Sequence, residues 1–496
     1  MNMSWTDCCD CTTAIFGVAV IALCWYIFKR PENFPPGPHG LPLVGYAPFI
    51  KNNMADDFMK MKKKYGSVMS VQMGREDWVV LNDYDTINEA LVKQGEKFSG
   101  RPSNFLFELV AQGRGIAVVD YGQAWKTLRK FGLKTLRGFG VGKKGMEENV
   151  IEETPLLIEK LTAMDKESLH LKLMLGISNI ICRITIGARF EYTDKRFLRL
   201  IEILGSFFGD NSDAKMLGLI VAAPMVRFVP PFSGSMKRVL KEIDDFIEIF
   251  RTIIEEHESE FDENDTRDFI DAFLKEMKSK GKNDPCFNKL QLLHYIRDLF
   301  EAGTGTTSST LCWAILCFAH YPECQEKIAK EIEITLGEDG IPSMKHQDEM
   351  PYTCAFIQEL MRHRTLVPLG VFHKTNEEAT LIGYTIPKNT TVCPNIWSVH
   401  FDPNLFENPR LFRPERFLDR DGKFVKSNHV IPFSIGPRYC LGEQLARMEV
   451  FIFLTGIVQK LRVVLNPDKP VPPFDVGVFN ILSYEAPNFD VIFEKR

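Results

Sequence analysis

Much that would point to a familiar function is missing from this sequence. Its 496 residues hold no internal repeat and no low-complexity tract, and the composition (45% hydrophobic, 25% charged) excludes a wholly disordered, collagenous or coiled-coil chain. Excess positive charge is missing too. Sixty Lys and Arg stand against 65 Asp and Glu, a formal net charge of -5, which argues against a nucleic-acid binder with a basic face. Twelve cysteines do not make a disulfide scaffold in a chain this long. The C-x-x-C spacing at Cys8 and Cys11 falls within the first dozen residues and has no second pair, so zinc ribbons and thioredoxin-like sites lack support. There is no H-E-x-x-H, phosphate-binding loop or G-x-S-x-G, which removes the commonest metalloprotease, nucleotidase and serine-hydrolase signatures.

What is present starts at the N-terminus. Residues 12–28 (TTAIFGVAVIALCWYIF) form an uncharged, mostly apolar run, near the lower length limit for a membrane-spanning helix. Asp7 and Asp10 precede it, and Lys29 and Arg30 follow. A cleavable signal peptide has the opposite charge order, and the positive-inside rule leaves the remainder in the cytosol. Residues 1–30 are therefore expected to anchor the chain in a membrane by one transmembrane helix. Cytosolic thiols stay reduced, so a special cysteine further on is a ligand or a nucleophile. Residues 31–48 carry prolines at 35, 36, 38 and 42, which stiffen the chain into an extended hinge. Residues 49–496 read as one large, mainly α (α+β) domain with small β-sheets. Amphipathic helices are expected over 152–165, 237–260 and 324–336, strands over 68–73, 78–81 and 390–394, and a hairpin about Gly383.

Four places carry chemistry. The first is Phe433-Ser-Ile-Gly-Pro-Arg-Tyr-Cys-Leu-Gly442, followed by a helical pattern over 443–461. A cysteine just before a helix N-terminus lies beside free N–H donors and the positive end of the dipole, which favour the thiolate. Gly436 and Gly442 let the backbone pass close to a flat object, and Arg438 offers charge to an anion. The second is a stretch of small and hydroxyl residues, Ala302-Gly-Thr-Gly-Thr-Thr-Ser-Ser-Thr310, inside a helical pattern over 298–319. Such hydroxyls can bond back to carbonyls and bend a helix, opening a groove. The third is Glu359-Leu-Met-Arg362 with Phe412-Arg-Pro-Glu-Arg-Phe417 downstream. The fourth is the basic helix of residues 125–137, in which Trp125 and Arg129 share a face while Lys126, Lys130, Lys134 and Arg137 spread charge elsewhere.

F-x-x-G-x-R-x-C-x-G resembles the haem-binding loop of the cytochrome P450 superfamily, and the order E-x-x-R, P-E-R-F, cysteine loop is as that family has it. The resemblance covers essentially the whole chain and is nearest to animal microsomal enzymes of family 2. It implies a P450-type helical domain holding haem b. Cys440 would be the axial thiolate, whose electron donation favours O–O cleavage. Arg438, the Trp125/Arg129 pair, Arg101 in Phe98-Ser-Gly-Arg and His373 would contact haem propionates, with Phe433, Gly436, Gly442 and Ala302 also around the cofactor. Thr306 would help deliver protons to bound oxygen. Glu359, Arg362 and Arg416 would form the family's buried Glu–Arg–Arg network. The family pattern A/G-G-x-D/E-T-T/S is broken at Gly305, which removes the usual relay carboxylate; Glu301 lies four residues earlier.

By the same analogy, substrate contacts fall on apolar and aromatic residues including Phe107, Phe208, Phe300, Val367, Leu369 and Phe479, which suits a lipophilic molecule. The resemblance implies an endoplasmic-reticulum monooxygenase using O₂, with electrons from NADPH through a reductase and from cytochrome b5, its exposed lysines facing the acidic donor. Two alternatives stay open at this point: a haem-thiolate peroxide isomerase or dehydratase that needs no reductase, which Gly305 would mark, and a non-catalytic haem or ligand carrier.

Overall fold

The structure, a computed structural model, describes residues 13, 17, 30–42, 44–51, 53–103, 105–140, 144–163, 167–207, 216, 220, 224–281, 284–337, 339–480 and 482–496. Its helices of ten residues or more are α1 (Met54–Tyr65), α2 (Gln123–Gly138), α3 (Lys144–Thr162), α4 (Leu169–Thr185), α5 (Lys195–Phe207), α6 (Phe232–Glu260), α7 (Phe269–Lys280), α8 (Lys289–His320), α9 (Pro322–Leu336), α10 (Pro351–His363) and α11 (Glu443–Lys460). The expected helices are all present, displaced at their ends. The one expected from 152 begins at Lys144 and stops at Thr162, and the one expected from 237 begins at Phe232.

The 32-residue α8 runs through the interior. Asn288 caps it, its side-chain oxygen accepting from Gln291 N at 3.0 Å, which satisfies one orphan donor of the first turn. Leu292, Ile296, Phe300, Leu311, Ile315 and Phe318 are buried on every side of it, as expected of a helix that neighbours surround. Its main partner is α4, where Leu173, Ile177, Ile180 and Ile181 are also buried. Each such side chain contributes about 1.5–3 kcal/mol through burial. The Ile181 side chain packs directly on Gly303, where an added Cβ would lie 2.5 Å from Ile181 Cδ1.

The strands are β1 (Val68–Met73), β2 (Glu76–Leu81), β3 (His373–Lys374), β4 (Ala379–Leu381), β5 (Tyr384–Ile386), β6 (Thr391–Pro394), β7 (Leu461–Leu465), β8 (Val478–Phe479), β9 (Tyr484–Glu485) and β10 (Val491–Lys495). The largest sheet has the order β1-β2-β6-β3, with β2 and β6 parallel and the other pairs antiparallel. Pairing His373 with Val392 buries that histidine. β4 and β5 make the expected hairpin, and Gly383 turns it at φ +85°.

The proline-rich segment is stitched to this sheet. Ser70 N donates to Pro36 O at 2.9 Å, Ser70 Oγ to Pro35 O at 2.6 Å, and Arg30 pairs with Asp77 at 3.1 Å. These contacts hold the stiff, extended proline segment against the sheet. The apolar run 12–28 lies outside the described residues except for Thr13 and Gly17; among the described residues no helix is long and apolar enough to cross a membrane.

Candidate active site

The 433–442 loop turns tightly into α11. Cys440 N donates to Phe433 O at 2.9 Å, and the Phe433 ring lies 4.8 Å from the Arg447 guanidinium. Gly436 has φ +82°, and a Cβ there would come within 1.9 Å of Leu91 O. Its need for glycine comes from the chain's own backbone in the 89–93 turn; a cofactor face is not required to explain it. At Gly442 an added Cβ meets no atom within 4 Å. Burial pushes the Cys440 thiol up, and the Gly442 N–H and the Arg129 charge pull the other way without reversing it. The helix terminus alone does not make the thiolate, because it acts on a sulfur removed from water.

Around this loop three arginines converge. Arg101 is buried, with Nε donating to Ala117 O and Nη1 to Val371 O and Phe372 O. Arg129 donates to Tyr439 O at 2.6 Å and lies over the Tyr439 ring at 4.6 Å. Arg438 donates to Ser99 O and Val119 O and stacks on Trp125 at 4.1 Å, and Trp125 is held by its indole N–H on Ile116 O at 3.2 Å. None of the three has a carboxylate partner among the described residues. Asp120, the nearest acid, is taken by Lys374 at 2.7 Å. Burial, with repulsion from the other arginines, lowers Arg101 to about 10 and Arg438 to about 8. Arg438 Nη1 is buried with no hydrogen-bond partner. Three desolvated cations and an orphaned donor form a cradle whose charge no carboxylate among the described residues balances. A dianionic group such as a haem with two propionates fits it. His373 Nδ1–H donates to Phe98 O at 2.7 Å, and burial together with Arg101 holds the ring neutral; it can donate to such a group from Nε2 only once an anion supports its protonation.

On α8 the mid-helix hydroxyls bond back as anticipated: Thr306 Oγ1 to Ala302 O at 2.7 Å and Thr310 Oγ1 to Thr306 O at 2.9 Å. The helix nonetheless stays continuous. Ala302 is exposed and Thr306 and Thr310 half-buried, although neighbouring turns are buried, so this stripe borders open space inside the fold. Two acids that no motif flagged shape the region. Asp298 accepts from Ile116 N at 2.7 Å and Ala117 N at 3.0 Å, pinning the 105–117 segment to α8. Glu449 on α11 meets Thr307 Oγ1 at 3.1 Å, and burial raises it to about 8. Lone acids in helical patterns carry no spacing signal, so the sequence reading missed both.

Glu359, Arg362 and Arg416 are brought together. Arg362 binds both oxygens of Glu359, at 2.7 and 2.8 Å, and Arg416 adds a contact at 3.1 Å. Glu359 and Arg362 are 0% exposed.

The substrate stretches divide. Val367 and Phe479 are half-buried. Phe300 is 0% exposed against Phe246 and Phe250, and Leu369 is 2% exposed; both are packed in the main hydrophobic core. Phe208 and the side chain of Phe107 lie outside the described residues.

A family model of cytochrome P450 matches residues 35–493. The chain is 37% identical to cytochrome P450 2B2 of Rattus norvegicus, over 94% of this chain and 95% of that one. It is 37% identical to cytochrome P450 2A13 of Homo sapiens (94% and 93% covered) and 38% identical to cytochrome P450 2H2 of Gallus gallus (95% and 96% covered). With a buried cationic cradle beside its cysteine loop and this match along almost its full length, the chain belongs to the cytochrome P450 family and is a haem-thiolate monooxygenase with relatives in family 2.

Proposed function

We propose that this protein inserts one atom of O₂ into a lipophilic small molecule, with Cys440 as the thiolate ligand of its haem. The observation that carries the reading is the unneutralised trio Arg101, Arg129 and Arg438 around the Cys440 loop. Those three, with Trp125 and His373, would hold the propionates, and Phe433, Gly436, Gly442 and Ala302 would lie about the ring. The haem supplies oxygen activation. The chain's own residues bury the sulfur, hold the propionates and place the Thr306 hydroxyl on the open stripe, where it can pass a proton. Electrons come from NADPH through a reductase, with cytochrome b5 as a second donor. Lys130, Lys134 and Arg137 are exposed on α2 and suit an acidic partner surface, where complementary charge mainly speeds encounter. The working location is the endoplasmic-reticulum membrane, anchored through residues 1–30. The exposed apolar residues Met225, Phe228 and Val229 suit a second membrane contact.

The deciding measurement is the reduced, carbon-monoxide-bound difference spectrum. A red-shifted Soret band in the parent that is lost in Cys440→Ser supports the assignment, and a thiolate band persisting in that variant sinks it. Gly305 favours a second reading, the peroxide isomerase, because it removes the relay acid. Turnover of an organic peroxide with none from NADPH plus reductase would establish that reading instead.

A further inference from the structure

On α8, just before the Ala302 stripe, three charged groups stand together. Arg297 and Asp298 are paired at 3.0 Å, and each side chain is 4% exposed. Glu301 lies 3.4 Å from Arg297 Nε, with 33% of its side-chain surface accessible. The next residue, Ala302, is exposed although the turns around it are buried, so the accessible part of Glu301 adjoins the Ala302–Thr306 stripe. The charges do not balance. Arg297 is already matched by Asp298 and donates through Nη1 to Val110 O, and its Nε has no hydrogen-bond partner. Glu301 therefore has an ion pair without a hydrogen bond, from a cation that another carboxylate shares. Burial pushes Glu301 up to about 7, with Arg297 opposing and Asp298 adding to the rise. His294, one turn earlier, is held neutral at about 4 by burial and by Arg297. Two carboxylates with one guanidinium leave about one negative charge in excess once Glu301 ionises, one position before the exposed Ala302.

We propose that Glu301 is a specificity-determining residue, taking the protonated nitrogen of a lipophilic amine while the apolar remainder lies along the Ala302–Thr306 side. The inference rests on the monooxygenase reading above. An ammonium supplies the charge that Arg297 cannot, and it donates hydrogen bonds to a carboxylate that now receives none. Thr306 lies five positions after Glu301, a rise of about 7.5 Å at about 1.5 Å per residue. The bound nitrogen is thereby held away from the oxygen side, and oxidation falls on a carbon several bonds from it.

The test compares a hindered N,N-dialkyl fatty amine, which cannot ligate iron, with its uncharged carbon isostere. Binding to the haem-loaded protein is read both by Soret shift and by equilibrium dialysis. A charge-assisted hydrogen bond of about 1.5–3 kcal/mol corresponds to a preference of roughly 10- to 100-fold for the amine. Glu301→Gln should bring the ratio to about one without weakening the isostere, and Glu301→Asp should keep part of the preference. Equal affinities in the parent, or a preference that survives Glu301→Gln, would overturn the proposal. Failure of the monooxygenase reading shows separately, as a parent that lacks the thiolate band, whereas failure of the amine proposal leaves that band and the isostere's Soret shift intact.

Discussion

Behind the cysteine loop, Arg362 and Arg416 close on Glu359, while beside it Arg101, Arg129 and Arg438 close on backbone carbonyls alone. Both groups are arginines largely removed from water, with Arg129 half-buried, and both cost solvation free energy to place there. In the first, one carboxylate accepts from both guanidiniums and also from Arg413 N at 2.8 Å, so the cluster is complete within the polypeptide. In the second, Arg438 and Arg101 sit below their ordinary basicity because of burial and mutual repulsion. The first cluster is balanced within the chain, and the second keeps positive charge that no carboxylate among the described residues pairs. What separates them is whether the chain itself supplies the anion.

That distinction predicts opposite behaviour on substitution. The largest effect should come from Glu359→Ala, which strands two buried cations. A loss of about 3–5 kcal/mol is expected, seen as little or no folded protein in thermal melts with or without haem. A melting temperature close to the parent's would show that the first cluster is not complete as described. Arg438→Ala should do the reverse in cofactor-free protein, leaving stability unchanged or raised because a repelling charge is gone. Haem retention should fall by roughly 10- to 100-fold, from losing about 1.5–3 kcal/mol of charge-assisted bonding. Haem transfer to an excess acceptor protein measures this. A cofactor-free melt lowered as far as for Glu359→Ala would erase the distinction between the clusters.

The smallest effect lies at a one-to-one pair, His257 Nε2 with Asp268 at 3.0 Å. Burial opposes protonation of His257, but its Asp268 hydrogen bond and its carbonyl contacts prevail, and its folded-state value is raised above 6.5. The stabilisation is thus fully present below pH 6.5 and is lost as pH rises through the folded-state value. His257→Asn should therefore cost about 1 kcal/mol near pH 6 and almost nothing in alkaline solution. Denaturation midpoints at the two pH values would decide it, and a cost that does not change with pH would remove the pair from the comparison.

The closed cluster was legible through the family resemblance of E-x-x-R followed by Pro414-Glu-Arg-Phe417, since the one-turn spacing of Glu359 and Arg362 is common by chance. The cysteine loop and its helix were legible for the same reason, as residues at short fixed offsets. Less legible were features that need two distant segments at once. Gly436 is set by Leu91, Asp298 by the backbone at Ile116 and Ala117, and Glu449 by Thr307. Phe300 looked like a pocket residue from its place in the chain, yet it packs on Phe246 and Phe250.

By itself the sequence determined the helical periodicity, the small strands, the haem-loop motif and the residue types available to a thiolate-ligated haem, because these depend on spacing of a few residues along one chain. Only the tertiary structure decided how those groups are charged and which surfaces remain open. Desolvation pushes the Cys440 thiol up and lowers Arg438 to about 8, while packing leaves Arg438 Nη1 without a hydrogen-bond partner and a third of the Glu301 side chain accessible. Each of these depends on what is packed around the group in three dimensions, and burial changes the free energy of a charge more than any local neighbour in sequence does.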